Sequence, residues 1–211
     1  MKPKKKLLKG SSLYLILDKQ ACATQSLLEI AAQAGDAGVD MIQLRDKHSP
    51  KETILKTAYS IRKILAHKKT ILIINDYPDI AKIIDSDGVH LGQNDFSVPI
   101  ARRILGQDKI IGVSCRNVAQ ARLAQKQGAD YIGVGPIFAT PTKPQAMPVG
   151  LNLIRKIRDS VSIPFFAIGD INQENLKEVL AAGAERIAVC RAVCAAKNIP
   201  ASVKQLLRSL N

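Results

Sequence analysis

A chain of 211 residues with 46% hydrophobic side chains can bury one large core, which excludes a fibrous or disordered polymer and makes a single domain the default. Its formal net charge of +13 points either to an anionic partner or to a generally basic surface, and no run approaches the roughly 18 apolar residues needed to span a membrane. Aromatic residues make up 4% and tryptophan is absent, so Ile, Leu, Val and Ala are expected to build the core.

The first ten residues read as a basic N-terminal arm, with four lysines between positions 2 and 6. A solvated tail is favoured over a nucleic-acid contact, because no recognition helix or aromatic stacking module accompanies it. Lys9, Gly10, Ser11 and Ser12 interrupt the leader-like start, and no small-residue cleavage site follows. Residues 11–211 are assigned to one catalytic domain.

Short β-branched apolar runs at 13–17, 41–44, 71–74, 88–91, 110–113, 131–134, 165–168 and 186–190 read as strands buried on both faces. Between them, 26–34, 51–66, 98–104, 118–127, 153–160, 174–182 and 201–207 carry apolar residues at helical spacing. Gly38-Val39-Asp40, Gly128-Ala129-Asp130 and Gly183-Ala184-Glu185 each mark a helix end leading into a strand. Strand and helix alternate, so the predicted fold is a single (β/α)8 TIM barrel with parallel strands and outer helices; an open doubly wound sheet is the alternative.

Polar residues recur at the ends of six strands: Gln43, Arg45 and Lys47; Asn75 and Asp76; Gln93 and Asp95; Ser114; Thr140, Thr142 and Lys143; and Gly169. The C-terminal mouth of such a barrel is where ligands bind, so this recurrence predicts one shared site, cationic and hydroxyl-rich, for an acidic small molecule. Asp76 and Asp95 follow neighbouring strands, and their carboxylates could hold a divalent cation such as Mg2+. From spacing alone each could nearly as well cap the helix that follows. The proline-rich stretch 136–148 reads as a lid over the site. His90, beside Leu91 within a strand, reads as a packed core residue. Cys22, Cys115, Cys190 and Cys194 lack metal-ligand spacing and read as small core or strand residues, with a reducing, cytoplasmic setting expected.

The ordered segments Gln43-Leu44-Arg45-Asp46-Lys47, Ile74-Asn75-Asp76, Gly88-Val89-His90-Leu91-Gly92-Gln93-Asn94-Asp95, Gly112-Val113-Ser114, Tyr131 through Lys143, and Ala167-Ile168-Gly169 resemble the motif series of thiamine-phosphate synthases. The resemblance implies a transferase that joins hydroxymethylpyrimidine diphosphate to thiazole phosphate, releasing pyrophosphate, on a magnesium-dependent barrel. It implies that Arg45, Lys47, Asn75 and Lys143 hold the diphosphate and that Asp76 and Asp95 bind Mg2+. Gln43 and Ser114 would contact the pyrimidine side, and Thr140, Thr142 and the Gly169 backbone would receive the thiazole phosphate. Arg45, Lys47, Lys143 and Ser114 are the catalytic candidates. A related tautomerase-like, phosphate-binding barrel is the alternative, but it would need no diphosphate or metal ligands.

The expected partners are small phosphorylated molecules; neither nucleic acid nor membrane is expected, and a homo-oligomer is left open. Three positions depart from the family pattern: Arg116 in place of a histidine, Asp170 in place of a second glycine after Gly169, and Arg191 in place of a small residue. A carboxylate at 170 aimed at a phosphate would repel it, and Arg191 is a candidate to compensate Asp170 or to grip the thiazole phosphate.

Overall fold

The computed structural model describes residues 3–22, 25–142 and 144–210. The apolar runs form β1 Leu13–Asp18, β2 Met41–Arg45, β3 Ile71–Asn75, β4 Gly88–Leu91, β5 Ile110–Cys115, β6 Tyr131–Val134, β7 Phe165–Ile168 and β8 Ile187–Val189. Neighbours pair in parallel and in chain order, and β8 pairs back onto β1, so the sheet is a closed barrel and the open alternative is excluded. The helices are α1 Pro3–Gly10, α2 Leu27–Asp36, α3 Lys51–Ile64, α4 Pro78–Ile83, α5 Val98–Leu105, α6 Val118–Lys126, α7 Leu151–Arg158, α8 Leu176–Ala181, α9 Arg191–Cys194 and α10 Ile199–Leu210.

The glycine-led repeat has a physical basis in the glycine of all three units and in the carboxylate that closes the first two. Gly38, Gly128 and Gly183 adopt φ of 92°, 87° and 99°, a left-handed conformation that ends a helix at little steric cost. Two residues later the Asp40 carboxylate accepts the Ser12 and Leu13 amides at 2.9 and 3.0 Å, and Asp130 accepts the Ile111 amide at 2.8 Å. Asp87 takes the Leu72 amide in the same way at 2.8 Å. These carboxylates tie the strands into pairs at the N-terminal rim, away from the mouth.

Side chains alternate between two shells. Leu13, Leu15, Leu17, Ile42, Leu44, Leu72 and Ile74 face the helices, whereas Tyr14, Ile16, Met41, Ile71, Ile73, Ile110, Tyr131, Phe166 and Ala188 fill the barrel. The aliphatic core expected from composition holds for the outer shell. Inside the barrel, three of the chain's few aromatics meet instead: Tyr14, Tyr131 and Phe166 pack edge to face, with ring centroids 5.4 to 5.8 Å apart. Gly112 makes room for them, since a Cβ there would lie 2.1 Å from the Tyr131 ring.

The basic opening stretch, expected as a solvated arm, is helical over Pro3–Gly10. Leu8 is buried against the interior cluster and Lys5 pairs with Asp130 at 2.8 Å, because the apolar side of this short helix meets the open N-terminal end of the barrel.

Candidate functional site

A cavity of about 390 Å³ opens at the C-terminal ends of the strands. Gln43, Arg45, Asn75, Ser114, Thr140, Thr142 and Gly169 all line it, so seven predicted site residues from five separate strand ends converge. Lys143 lies outside the described residues. Lys47, Asp76 and Asp95 are not part of the cavity wall.

Arg45 is set by a residue that the sequence did not single out. Its guanidinium forms an ion pair with Asp18 at the end of β1, where the Asp18 side chain is only 3% exposed. The other Asp18 oxygen accepts the Gln20 and Ala21 amides at 3.0 and 3.2 Å, so the carboxylate is anchored to its own loop and holds the arginine over the cavity. Immediately after β2, buried Asp46 accepts the His48 and Ser49 amides at 3.1 and 3.0 Å, an Asx-type turn that brings the chain around at Lys47. Burial alone would raise the Asp46 carboxyl; the bonds from Ser49 and His48 and the nearby Lys19 outweigh it and hold the group below the usual carboxylate range.

The Lys47 ammonium lies 2.8 Å from Asp76. Asp76 adopts φ 64°, uncommon for a residue with a side chain, and its amide donates to the His90 carbonyl at 2.9 Å. Asp95 lies close enough for its carboxylate to act on that of Asp76, as expected from neighbouring strands. Burial raises the Asp76 carboxyl above the usual range, Asp95 adds to the rise and Lys47 opposes it, which is the signature of two acids competing for one compensating charge. Among the described residues no group of three or more His, Cys, Asp or Glu side chains could hold a metal ion. Asp76, half-buried, and Asp95, exposed, offer the carboxylate oxygens that magnesium takes, a hard cation that keeps waters and binds phosphate oxygens.

The loop between β6 and α7 is clamped at both ends. The Val149 and Gly150 amides donate to the Pro136 and Ile137 carbonyls at 2.8 and 3.2 Å, while the Ile137 amide donates to the Ile168 carbonyl at 2.8 Å. Arg116, at the first departure from the family pattern, donates to the Met147 carbonyl at 2.8 Å and tethers the loop from β5. Asp170 is exposed and left-handed, φ 48°, directly after Gly169 at φ 120°. Both are conformations that glycine takes most easily, and aspartate is among the side chains that tolerate the left-handed region best. Arg191 opens α9 and lines the cavity beside Cys190.

Sequence reasoning missed further wall residues, among them Tyr14, His90, Phe166, Asn172 and Cys190. Tyr14, Phe166 and Cys190 looked like core, and His90 is both buried and part of the cavity wall, with its Nε2 2.9 Å from the Ser114 hydroxyl. The four cysteines are free thiols, and Cys115, pushed up to about 12 by burial, is an inert core group. No helix among the described residues is long and apolar enough to cross a membrane.

Comparison with known proteins agrees with this geometry. Residues 13–193 match the family model for thiamine monophosphate synthase. The thiamine-phosphate synthase of Shouchella clausii is 42% identical over 204 residues, covering 96% of this chain and 98% of its own. That of Chloroflexus aurantiacus is 44% identical over 195 residues, covering 92% and 90%. The solved thiamine phosphate pyrophosphorylase of Pyrococcus furiosus superposes with a TM-score of 0.87 at 33% identity, covering 98% of this chain and 96% of its own.

Proposed function

The chain belongs to the thiamine monophosphate synthase family of transferases, and from that premise we propose that it makes thiamine phosphate by magnesium-assisted, dissociative displacement of pyrophosphate. The observation that carries the mechanism is the convergence of Arg45 and Asn75 on one cavity with Gln43 and Ser114, beside a rim where Lys47 meets the Asp76–Asp95 pair.

Gln43 and Ser114 hold the aminopyrimidine, while Arg45, Lys47, Asn75 and Lys143 receive its diphosphate. As the carbon–oxygen bond breaks, negative charge gathers on the leaving oxygens, and fixed cations there lower the barrier. Magnesium held by Asp76 and Asp95 would, when bound, neutralise part of that charge. Positive charge on the methylene is spread into the electron-rich aminopyrimidine, so no protein nucleophile is needed. Thr140, Thr142 and the Gly169 backbone hold the thiazole phosphate so that the ring nitrogen lies in line with the methylene. The loop bearing Thr140, Thr142 and Lys143 excludes water from the cation.

Single-turnover formation of thiamine phosphate from both substrates, with and without magnesium, tests this reading. Native protein is expected to give magnesium-dependent product, and Asp76→Ala to slow it by about a hundredfold while abolishing the magnesium dependence. Folded native protein that yields no product would turn the reading toward a tautomerase-like, phosphate-binding barrel.

Arg191 is assigned to the thiazole phosphate because it lines the same cavity as Thr140, Thr142 and Gly169 and carries a cationic side chain. Arg191→Ala is expected to raise KM for thiazole phosphate about tenfold, equivalent to roughly 1.4 kcal/mol, and to leave KM for the pyrimidine diphosphate unchanged. An unchanged thiazole phosphate KM removes the gripping role.

A further inference from the structure

Five polar side chains from five strands run through the barrel in an unbroken line. Gln43 Nε2 lies 2.5 Å from the Tyr14 hydroxyl, which lies 2.8 Å from the Tyr131 hydroxyl. That oxygen is 3.0 Å from His90 Nδ1, and His90 Nε2 is 2.9 Å from the Ser114 hydroxyl. Both ends of the line, Gln43 and Ser114, face the cavity.

We infer that this line is a directional hydrogen-bond relay that fixes which hydrogen-bonding face Gln43 and Ser114 each present to the ligand. Each phenol carries one proton and a neutral imidazole carries one N–H, so the direction chosen at one end propagates to the other. Gln43 donates its amide N–H to Tyr14, leaving the Tyr14 proton for Tyr131 and the Tyr131 proton for His90 Nδ1. His90 is then protonated on Nε2 and donates to Ser114. Burial pushes both phenols well above their ordinary range, so each keeps its single proton throughout the working pH range.

The consequence at the mouth is specific. Gln43 turns its carbonyl oxygen to the ligand, and Ser114, its oxygen already accepting from His90, offers its O–H. An acceptor at one end and a donor at the other match a nitrogen heteroaromatic with an exocyclic amine. The oxo analogue, which carries a carbonyl where the amine would be, sets one acceptor against another. Tyr14, Tyr131 and His90 are therefore positioning residues for substrate selection, a role that rests on the proposed aminopyrimidine substrate. Tyr131 is also held in place by packing against Tyr14 and Phe166, which makes Tyr131→Phe a change of one hydroxyl with the ring retained.

The test begins with the imidazole itself. His48 and His67, both exposed, are replaced by glutamine, and 15N-histidine NMR then reads His90 alone. The expected result is the Nε2-protonated tautomer, giving way to a mixture in Tyr131→Phe. An Nδ1-protonated or doubly protonated ring in the otherwise native protein overturns the direction, and an unchanged tautomer in both Tyr131→Phe and Tyr14→Phe overturns the relay. In kinetics, Tyr131→Phe is expected to reduce the preference for the amino over the oxo pyrimidine diphosphate by about a hundredfold, with KM for thiazole phosphate unchanged. An equal loss for both pyrimidines overturns the selective role. The NMR arm needs no turnover, so an inactive protein with the Nε2 tautomer would keep the relay and remove the synthase mechanism.

Discussion

Arg45→Ala is expected to lower kcat/KM by about a thousandfold, because on the proposed mechanism it removes a fixed cation from the place where charge develops on the leaving diphosphate. It also strands Asp18, whose side chain is 3% exposed and whose pairing with Arg45 is the compensation for burying its charge. Losing one partner of a buried pair costs about 3–5 kcal/mol, so the single variant is expected to melt well below the native protein. Asp18→Asn alone keeps the shape of the loop and most of the bonds to the Gln20 and Ala21 amides, but loosens the arginine. About a tenfold loss in kcat/KM is expected from it. The decisive case is the double variant, Asp18→Asn with Arg45→Ala. It should recover much of the lost stability, since no charge is left unpaired, and recover none of the activity. Thermal denaturation beside steady-state kinetics on the four proteins forms a double-mutant cycle. If the double variant were a further tenfold slower than Arg45→Ala, Asp18 would act on the reaction by a route other than Arg45.

How much of this was legible in the sequence follows from where each side chain points. Strands buried on both faces leave an unmistakable apolar run, so all eight were readable, and Gln43, Arg45, Asn75 and Ser114 stood out as polar groups closing such runs. Asp18 also closes a run, but stands alone there, and nothing in the chain says that its partner is a residue 27 positions away on β2. Tyr14, Tyr131 and His90 were hidden by the same periodicity that revealed the strands. A residue in mid-strand that points into a barrel looks like core, and only closure of the sheet shows that the hydroxyls of β1 and β6 meet the imidazole of β4. Helix α1 was obscured by its lysines, although Leu7 and Leu8 supply the apolar side that docks. Short α4 and α9 lack the two turns that a periodic pattern needs.

Gly169→Ala is expected to be the most destabilising single-methyl change at the mouth. At φ 120° an alanine is strained whatever space surrounds it, and there is no space: a Cβ would lie 2.5 Å from the Ile137 amide nitrogen and 2.6 Å from the Pro136 Cα. Both obstacles are backbone and cannot rotate away. From the other side, a Cβ on Gly135 would sit 2.1 Å from the Ile168 carbonyl oxygen, so the β6 and β7 loops touch main chain to main chain. That contact is stitched by the Ile137 amide to the Ile168 carbonyl at 2.8 Å and the Phe138 amide to the Gly169 carbonyl at 3.3 Å. A methyl group there must prise the two loops apart, at a cost of about 3–5 kcal/mol from backbone strain and overpacking together. For a domain of this length that corresponds to a fall in Tm of about 10 °C. The same displacement moves Thr140 and Thr142 away from the Gly169 backbone, so on the proposed function thiazole phosphate affinity should fall in the folded variant at low temperature, while the pyrimidine diphosphate, assigned there to residues of β2, β3 and β5, should bind as before. Melting curves and a binding titration with each substrate measure the two effects separately. A variant that melts with the native protein would mean that the two loops are free to separate and that their contact does not shape the thiazole side of the site.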